Sequence, residues 1–218
     1  MPIPKTIIQT YKQAKLPWLT RWHIARLLDR NKSYRYEFYD DAAVSAFIKG
    51  AYPPSIFKMY ERLAIGAAKA DFFRYAVLNK KGGVYLDIDS LIPHKLDEWL
   101  LPSDTALISK ESHGTFFIQY ALFFEAEHPF LTQALNEVVE NIAQNRYPND
   151  VHAMTGPTAF TKAVENVLQN SPDTPHRILG ADYEGHVKFS YPMAKTMLYG
   201  FGRKEHWKRQ ELSRPVLK

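Results

Sequence analysis

The chain has 218 residues, of which 45% are hydrophobic and 23% are charged, a composition typical of one globular domain. It contains no cysteine, which excludes a disulfide framework and a thiolate metal site and is compatible with a reducing compartment. No run of 18 apolar residues occurs, so the sequence predicts no transmembrane helix.

The net charge of +5 is distributed unevenly. Residues 203–218 form a basic C-terminal tail with six Lys or Arg and two Glu, whereas the other 202 residues carry a net charge of only +1. This distribution argues against a broad nucleic-acid-binding surface, which needs a basic stripe. The tail suits an anionic membrane or a phosphorylated substrate, and a solvated terminal segment is the alternative.

Hydrophobic periodicity predicts strands separated by helices. Strands are predicted at residues 3–11, 34–41, 84–89, 105–110 and 116–124. Helices are predicted at residues 42–50, 55–79, 130–144 and 155–168, the last with Pro157 in its first turn. Gly82 and Gly83 are expected to take the left-handed conformation that ends the second helix. The pattern indicates an α/β sheet, whose ligands bind beyond the carboxyl ends of strands.

The stretch GGVYLDIDS, residues 82–90, carries two aspartates at the end of a predicted strand. Because side chains alternate along a strand, Asp87 and Asp89 are expected on the same face as Tyr85, with the aliphatic residues turned to the core. Two neighbouring carboxylates repel each other, and a divalent cation such as Mg²⁺ or Mn²⁺ compensates this repulsion. Two solvated acids at an exposed strand end are the alternative, since a bare Asp-x-Asp is short and common.

The helix that precedes this strand carries a second candidate pair. Asp71 and Arg74 are three positions apart, so they share one helical face. Beside a cation-binding strand they could hold a ribose hydroxyl and a phosphate, because Arg binds phosphate through two parallel N–H groups. A surface ion pair of little energetic consequence is the alternative.

These residues resemble the signature of the DxD-containing sugar transferases of glycosyltransferase family 32, which includes yeast outer-chain mannosyltransferases and bacterial capsule and lipopolysaccharide enzymes. The family pattern of acid, Arg, Gly-Gly and Tyr-x-Asp-x-Asp is matched by Asp71, Arg74, Gly82, Gly83, Tyr85, Asp87 and Asp89. Further landmarks match in order, so the resemblance spans most of the chain. They are IPKTIIQTYK (3–12), YRYEFYDD (34–41), HPFL (128–131) and TGP (155–157).

The resemblance implies a single α/β domain of the nucleotide-binding GT-A type over residues 1–218. It implies a retaining enzyme that moves a sugar from a UDP- or GDP-sugar to a hydroxyl of a glycan or glycolipid acceptor of the capsule or lipopolysaccharide type. Mn²⁺ or Mg²⁺ would bridge the donor diphosphate. We expect a cytoplasmic protein whose basic tail can contact the inner face of an anionic membrane.

The resemblance also implies roles for individual residues. Asp89 would bind the metal directly, while Asp87 would bind it through water and contact the ribose or the donor sugar. Asp87, Asp89 and Gln119 form the implied catalytic set. The implied donor-binding residues are Gln9, Thr10 and Tyr11 at the base, Asp71 and Arg74 at the donor sugar, and Tyr85, Asp87 and Trp207.

Two positions depart from the family pattern. The family ends with a His and a Ser-Trp pair near the metal, whereas here GRKEHWKRQ offers His206 and Trp207 with no Ser before the Trp. His206 is therefore either a third metal ligand or a simple tail histidine. Gln119 stands where many relatives have Asn, and it either donates a hydrogen bond near the acceptor or faces solvent from a strand.

Two other functions are compatible with parts of the pattern. A haloacid-dehalogenase-like phosphatase also uses a strand-end Asp-x-Asp, but it needs the motif near the N-terminus and followed by Thr or Val. Here the motif begins after 86 residues and is followed by Ser. The remaining alternative is a catalytically weak module that binds a nucleotide sugar or a polyanion through the basic tail.

Overall fold

The protein is described from a computed structural model over residues 2–200 and 214–218. Its strands are β1 (Thr6–Thr10), β2 (Arg35–Tyr39), β3 (Gly83–Leu86), β4 (Ala106–Ser109), β5 (Ala121–Phe124) and β6 (Arg177–Leu179). Its helices are α1 (Trp18–Arg30), α2 (Asp41–Ala51), α3 (Pro54–Arg62), α4 (Gly66–Lys81), α5 (Pro129–Gln144), α6 (Val151–Met154), α7 (Pro157–Asn170) and α8 (Ala194–Tyr199). Among the described residues, no helix has the length and apolar character needed to cross a membrane.

The described strands form one mixed sheet in the order β2-β1-β3-β5-β4-β6. β1 runs parallel to both β2 and β3, so the predicted first, second and third strands are neighbours. β5 runs antiparallel to β3 and β4, and β6 runs parallel to β4. The predicted α/β sheet is therefore confirmed. The strands predicted at 3–11, 34–41 and 105–110 correspond to β1, β2 and β4.

β3 is a central strand that is buried on both faces. Val84 and Leu86 belong to one hydrophobic cluster and Tyr85 belongs to the other, and none of the three is more than 1% exposed. The prediction of a half-buried strand over 84–89 is wrong in two respects, because both faces are covered and the strand ends at Leu86. Alternate side chains of β3 therefore point into two different clusters of the core, and neither set points into solvent.

The helix predicted over residues 55–79 is in fact two helices, α3 and α4, separated at Leu63–Ile65. Leu63 and Ile65 have extended backbones and fully buried side chains. Leu63 pairs in a short antiparallel bridge with Leu217, near the other end of the chain. Local periodicity cannot reveal a break that a distant segment causes.

The last described residues pack into the core. Val216 is fully buried and Leu217 is 6% exposed, and the Val216 carbonyl accepts a hydrogen bond of 2.8 Å from the backbone N–H of Ala64. Within the basic tail predicted over 203–218, Val216 and Leu217 are therefore core residues, whereas Arg214 and Lys218 are exposed. Residues 203–213 lie outside the described part of the chain.

Two glycines carry the chain from α4 into β3. Gly82 has φ 62° and Gly83 has φ 113°, values that L side chains rarely adopt, so glycine is needed here as predicted. The predicted left-handed cap is wrong for Gly82, whose ψ of -171° lies outside the left-handed helical region. A Cβ on Gly83 would lie 2.8 Å from the carbonyl oxygen of Thr6 in β1. The sharp turn therefore lets β3 approach β1 closely and fixes α4 relative to the residues that follow β3.

The remaining elements agree with most predictions. The helices at 130–144 and 155–168 are confirmed as α5 and α7, and Pro157 occupies the first turn of α7. The strand predicted at 116–124 is wrong for its first part, because only Ala121–Phe124 is regular. The helices α1, α6 and α8 have no predicted counterpart.

Candidate functional site

The two acids lie directly beyond the carboxyl end of β3, where ligands of α/β sheets are expected. Asp87 follows the strand immediately, and Asp89 lies in the turn that comes next. We call residues 87–89 the acid turn. Backbone hydrogen bonds hold this turn from two sides. The N–H of Asp87 donates to the carbonyl of Tyr120 at 2.8 Å, and the N–H of Tyr191 donates to the carbonyl of Asp89 at 2.9 Å.

A buried ion-pair network connects this turn to α4. Nη2 of Arg74 lies 3.2 Å from Oδ1 of Asp71 and 3.0 Å from Oδ1 of Asp87. The side chains of Arg74 and Asp71 are 5% and 6% exposed, so the alternative of a surface ion pair is wrong. Nη1 of Arg74 also donates to the carbonyl of Gln119 at 2.7 Å, and the guanidinium lies 4.9 Å from the Tyr85 ring centroid.

Asp71 is held by polar groups from two further segments. The hydroxyl of Thr155 donates to its Oδ2 at 2.9 Å, and the amide of Gln119 donates to its Oδ1 at 3.2 Å. The Tyr75 hydroxyl donates to the Gln119 side-chain oxygen and, at 3.1 Å, to the carbonyl of Thr155. Because each oxygen of Asp71 accepts from a protein group, Asp71 and Arg74 orient Asp87. Their contact with a donor sugar stays a prediction.

Gln119 therefore lies inside the site. Its side chain is only partly exposed and bonds Asp71, so the alternative of a solvent-facing strand residue is wrong. It precedes β5 rather than lying in a strand. Thr155 and Tyr75 were missed by the sequence reasoning, although Thr155 opens the TGP landmark and Tyr75 follows Arg74 directly.

The three residues predicted to bind the base contact different parts of the molecule. Gln9 reaches the site, because its amide donates to the carbonyl of Asp87 at 3.1 Å. The Thr10 hydroxyl donates to the carbonyl of Tyr39 at 2.8 Å, a contact within the sheet. The Tyr11 hydroxyl donates to the carbonyl of Leu198 in α8 at 2.9 Å. Gln9 thus contacts the acid turn, whereas Thr10 bonds the backbone of β2 and Tyr11 bonds the backbone of α8.

Burial shapes the electrostatics of the site. It raises the pKa of Asp71 to about 6 and also raises the pKa of Asp87, in both cases against the opposing effect of Arg74. Burial and the neighbouring Asp87 together raise the pKa of Asp89 to about 7. Burial disfavours charge on Arg74 as well, but Asp87, Tyr85 and Asp71 outweigh it and raise the pKa of Arg74. The guanidinium of Arg74 thus pairs with two of the three acids, and the more distant charges of Lys195 and Arg74 only partly offset the rise in the pKa of Asp89.

Asp89 is the acid that the described residues compensate least. It is half-buried, and no Lys or Arg nitrogen of residues 2–200 and 214–218 lies within 4.0 Å of its carboxylate. The two protein contacts to the Asp87 carboxylate, from Arg74 and from the Tyr85 hydroxyl at 3.1 Å, both use Oδ1. Asp89 and Oδ2 of Asp87 are therefore the carboxylate oxygens left for a ligand.

These oxygens fit a hard divalent cation. Mg²⁺ and Mn²⁺ prefer oxygen ligands, and Mg²⁺ commonly uses one or two carboxylates together with substrate phosphates and water. The described residues contain no group of three or more His, Asp or Glu that could hold a metal by themselves, so phosphates and water would complete the shell. His206 and Trp207, the predicted third ligand and diphosphate contact, lie outside the described residues.

Comparison with protein families gives one match in this part of the chain. Residues 19–107 match the model described as the glycosyltransferase sugar-binding region containing a DXD motif. The match includes α4, β3 and both acids. The chain is also similar to the initiation-specific alpha-1,6-mannosyltransferase of Candida albicans, with 25% identity over 80% of this chain. The alignment covers 55% of that relative, so the chain spans about half of its length.

Two solved structures with a similar architecture are named as glycosyltransferases. The PaToxG glycosyltransferase matches all of this chain and 81% of its own with a TM-score of 0.66 and 18% identity. The UDP-bound glycosyltransferase domain from the YGT toxin matches 81% of this chain and 79% of its own with a TM-score of 0.57 and 10% identity. These similarities confirm the predicted GT-A fold.

Proposed function

Because residues 19–107 match the model of the glycosyltransferase sugar-binding region containing a DXD motif, we propose that this chain transfers a sugar from a nucleotide-sugar donor to a hydroxyl of a glycan or glycolipid. The observation that carries the proposal is the acid turn itself. Arg74 and Tyr85 occupy one oxygen of Asp87, and Asp89 beside it makes no ion pair within 4.0 Å among the described residues, since Lys195 and Arg74 act on it only from a greater distance. This geometry supports a site for a cation and a diphosphate.

The proposed chemistry needs positive charge at the leaving group. A divalent cation held by Asp89 and Asp87 would supply it, offsetting the charge that develops on the nucleoside diphosphate. The chain's own residues position this site. Arg74 fixes Asp87 through a 3.0 Å ion pair, and Asp71, held by Thr155 and Gln119, fixes Arg74.

We also propose transfer with retention, on the strength of the family resemblance. The bond between the anomeric carbon and the phosphate oxygen breaks, and the acceptor oxygen bonds that carbon from the same face. The acceptor proton passes to the departing phosphate. This route needs no protein nucleophile, so the acids remain free for the donor and the cation.

We propose that the acceptor binds in a cleft of about 540 Å³ lined by the segment between β4 and β5 and by the segment after β6. Tyr120 links the two sites, because its backbone carbonyl holds the N–H of Asp87 while its side chain lines the cleft. The Phe189 ring is 54% exposed and meets the Tyr120 ring edge-on at 5.1 Å. The other lining residues include Glu111, Ser112, His113, Asp182 and Lys188.

The rim of this cleft has an unusual backbone. Asp182, Tyr183 and Glu184 have φ of 51°, 52° and 57°, three consecutive non-glycine residues in the left-handed region. Such conformations cost free energy and occur preferentially at binding and active sites. The buried Tyr183, whose hydroxyl donates to the carbonyl of Ala121 at 2.9 Å, anchors the turn. The arrangement supports a binding role for Asp182, whose carboxylate can accept hydrogen bonds from sugar hydroxyls.

The acceptor assignment predicts a selective kinetic defect. The Phe189→Ala variant should raise the acceptor KM by about 3- to 10-fold, because an aromatic contact contributes about 0.5–1.5 kcal/mol. Donor hydrolysis without acceptor should not change, since Phe189 makes no described contact with Asp87 or Asp89. The matched control is Ile178→Ala, which removes another exposed apolar side chain. An equal loss of donor hydrolysis in the Phe189 variant would contradict the assignment.

The proposed function is tested with a panel of UDP- and GDP-sugars, including the mannose, glucose and galactose forms. One donor is expected to raise the melting temperature only when Mn²⁺ or Mg²⁺ is present, because ligands of the native state stabilise it. The same donor should be hydrolysed slowly without acceptor. Binding without turnover, under all donor and acceptor conditions, would instead indicate the alternative of a binding module.

A further inference from the structure

The exposed face of α1 has an uncommon composition. Trp18 is 64% exposed and Trp22 is 47% exposed, and their spacing of four places both on one side of the helix. Arg21 and Arg26 are exposed on the same side. We call Trp18, Arg21, Trp22 and Arg26 the α1 face. The opposite side of the helix is buried through Thr20 and Leu27.

The charge around this helix is strongly positive. Residues 12–32 contain six Lys or Arg and one Asp, a local charge of +5 that equals the net charge of the entire chain. Arg26 lies 4.9 Å from the Trp22 ring centroid, which places a cation against an indole at the surface. Exposed Trp and dense basic residues thus occur together on one helix.

We propose that the α1 face docks on an anionic phospholipid surface. Trp is favoured at the membrane–water interface, where its ring is apolar and its N–H remains hydrated, and basic residues are attracted to anionic lipids. A helix that carries both lies in the plane of the interface. The positive charge favours this occupant over a second copy, because two faces of the same charge repel each other.

Docking through α1 would bring the acid turn close to the membrane. The hydroxyls of Thr20 in α1 and Tyr191 lie 2.7 Å apart, and His23 stacks on the Tyr191 ring with centroids 4.1 Å apart. Tyr191 in turn donates its N–H to the carbonyl of Asp89. If the proposed function holds, this surface suits a lipid-linked acceptor; the docking itself does not depend on sugar transfer.

The test is co-sedimentation of the full chain with vesicles. Wild-type protein should bind vesicles of phosphatidylglycerol and phosphatidylcholine in equal parts, bind less in high salt, and not bind phosphatidylcholine alone. The double variants Trp18→Ala/Trp22→Ala and Arg21→Glu/Arg26→Glu should each reduce binding by about 10-fold or more, because each buried indole and each basic residue contributes. Tryptophan fluorescence should shift to the blue with anionic vesicles only while Trp18 and Trp22 are present.

Two control variants change similar side chains outside the α1 face. Leu101→Ala/Ile178→Ala deletes two exposed apolar side chains, and Lys58→Glu reverses an exposed charge on α3; both should bind vesicles like wild type. Donor-dependent stabilisation should be unchanged in the α1 variants, which separates this proposal from the proposed function. Wild-type vesicle binding by both α1 variants would overturn the proposal and direct attention to residues 203–213. Preference for an oligonucleotide, or self-association abolished by the same variants, would overturn it too.

Discussion

The Asp89→Asn variant is expected to transfer sugar more than about 100-fold more slowly than the wild-type chain, because even partners of metal ligands typically contribute about 10- to 100-fold. Asn keeps the shape of the side chain but removes the charge that binds a cation. Donor binding should therefore lose its dependence on Mn²⁺ or Mg²⁺. Calorimetry with donor and cation together, followed by a transfer assay, measures both effects.

In the absence of a cation, the same substitution should raise the stability of the folded chain. The pKa of Asp89 in the folded chain, about 7, lies above the ~3.9 of an unfolded Asp, so folding stability is lost as the pH rises through the folded value. Asn cannot ionise and avoids this loss. The variant should therefore melt at a higher temperature than wild type, by a margin that grows from about pH 5 to about pH 8.

The control is Asp173→Asn, which removes an exposed carboxylate whose surroundings are solvent. It should leave transfer and cation-dependent donor binding unchanged. Cation-dependent donor binding of wild-type strength in Asp89→Asn would contradict the metal assignment. Lower stability of this variant at pH 8 would show that the folded chain already compensates the Asp89 charge.

Much of the sheet could be predicted because its strands are short, strongly apolar and bounded by clear turn residues. The location of the acids at a strand end followed from the alternation before Asp87 and from Gly82 and Gly83. The same alternation misled at β3, since a central strand is apolar on both faces. Whether other elements cover both faces of a strand is a property of the whole fold, which a local window does not contain.

The polar network behind the acids could be predicted only in part. The Asp71–Arg74 pair follows from helical spacing, but its burial does not, because the segments that cover it come from the residues before β5 and from the turn before α7. Thr155 lies far along the chain from Asp71 and has no periodic relation to it. The basic α1 face was likewise missed, since a single net charge for the rest of the chain averaged a local +5 with acidic segments.

The Arg74→Lys variant is expected to transfer sugar at least about 10-fold more slowly than wild type although it keeps the positive charge, an effect typical of groups that orient metal ligands. A planar guanidinium contacts Asp71, Asp87 and the carbonyl of Gln119 at once, and a single ammonium cannot reproduce that geometry. Because Arg74 is a positioning residue, kcat should fall more than donor KM rises. The matched control is Arg146→Lys, whose guanidinium pairs with Glu137 and Glu140 instead of with the acids of the site.

The Arg74→Met variant removes the positive charge that Arg74→Lys keeps. Removing one partner of a buried ion pair typically lowers the free energy of unfolding by about 3–5 kcal/mol, and here two acids lose the same partner.

The loss of stability should depend on pH. The guanidinium of Arg74 opposes the effect of burial on Asp71 and Asp87. Without it the pKa values of both acids should rise further, so both take up protons near neutral pH. Stability from such raised values is present at low pH and is lost as the pH rises through them. Denaturant unfolding should therefore show a small deficit near about pH 5 and a larger one near about pH 8. A deficit independent of pH would mean that lost packing, rather than uncompensated carboxylate charge, is what Arg74 prevents.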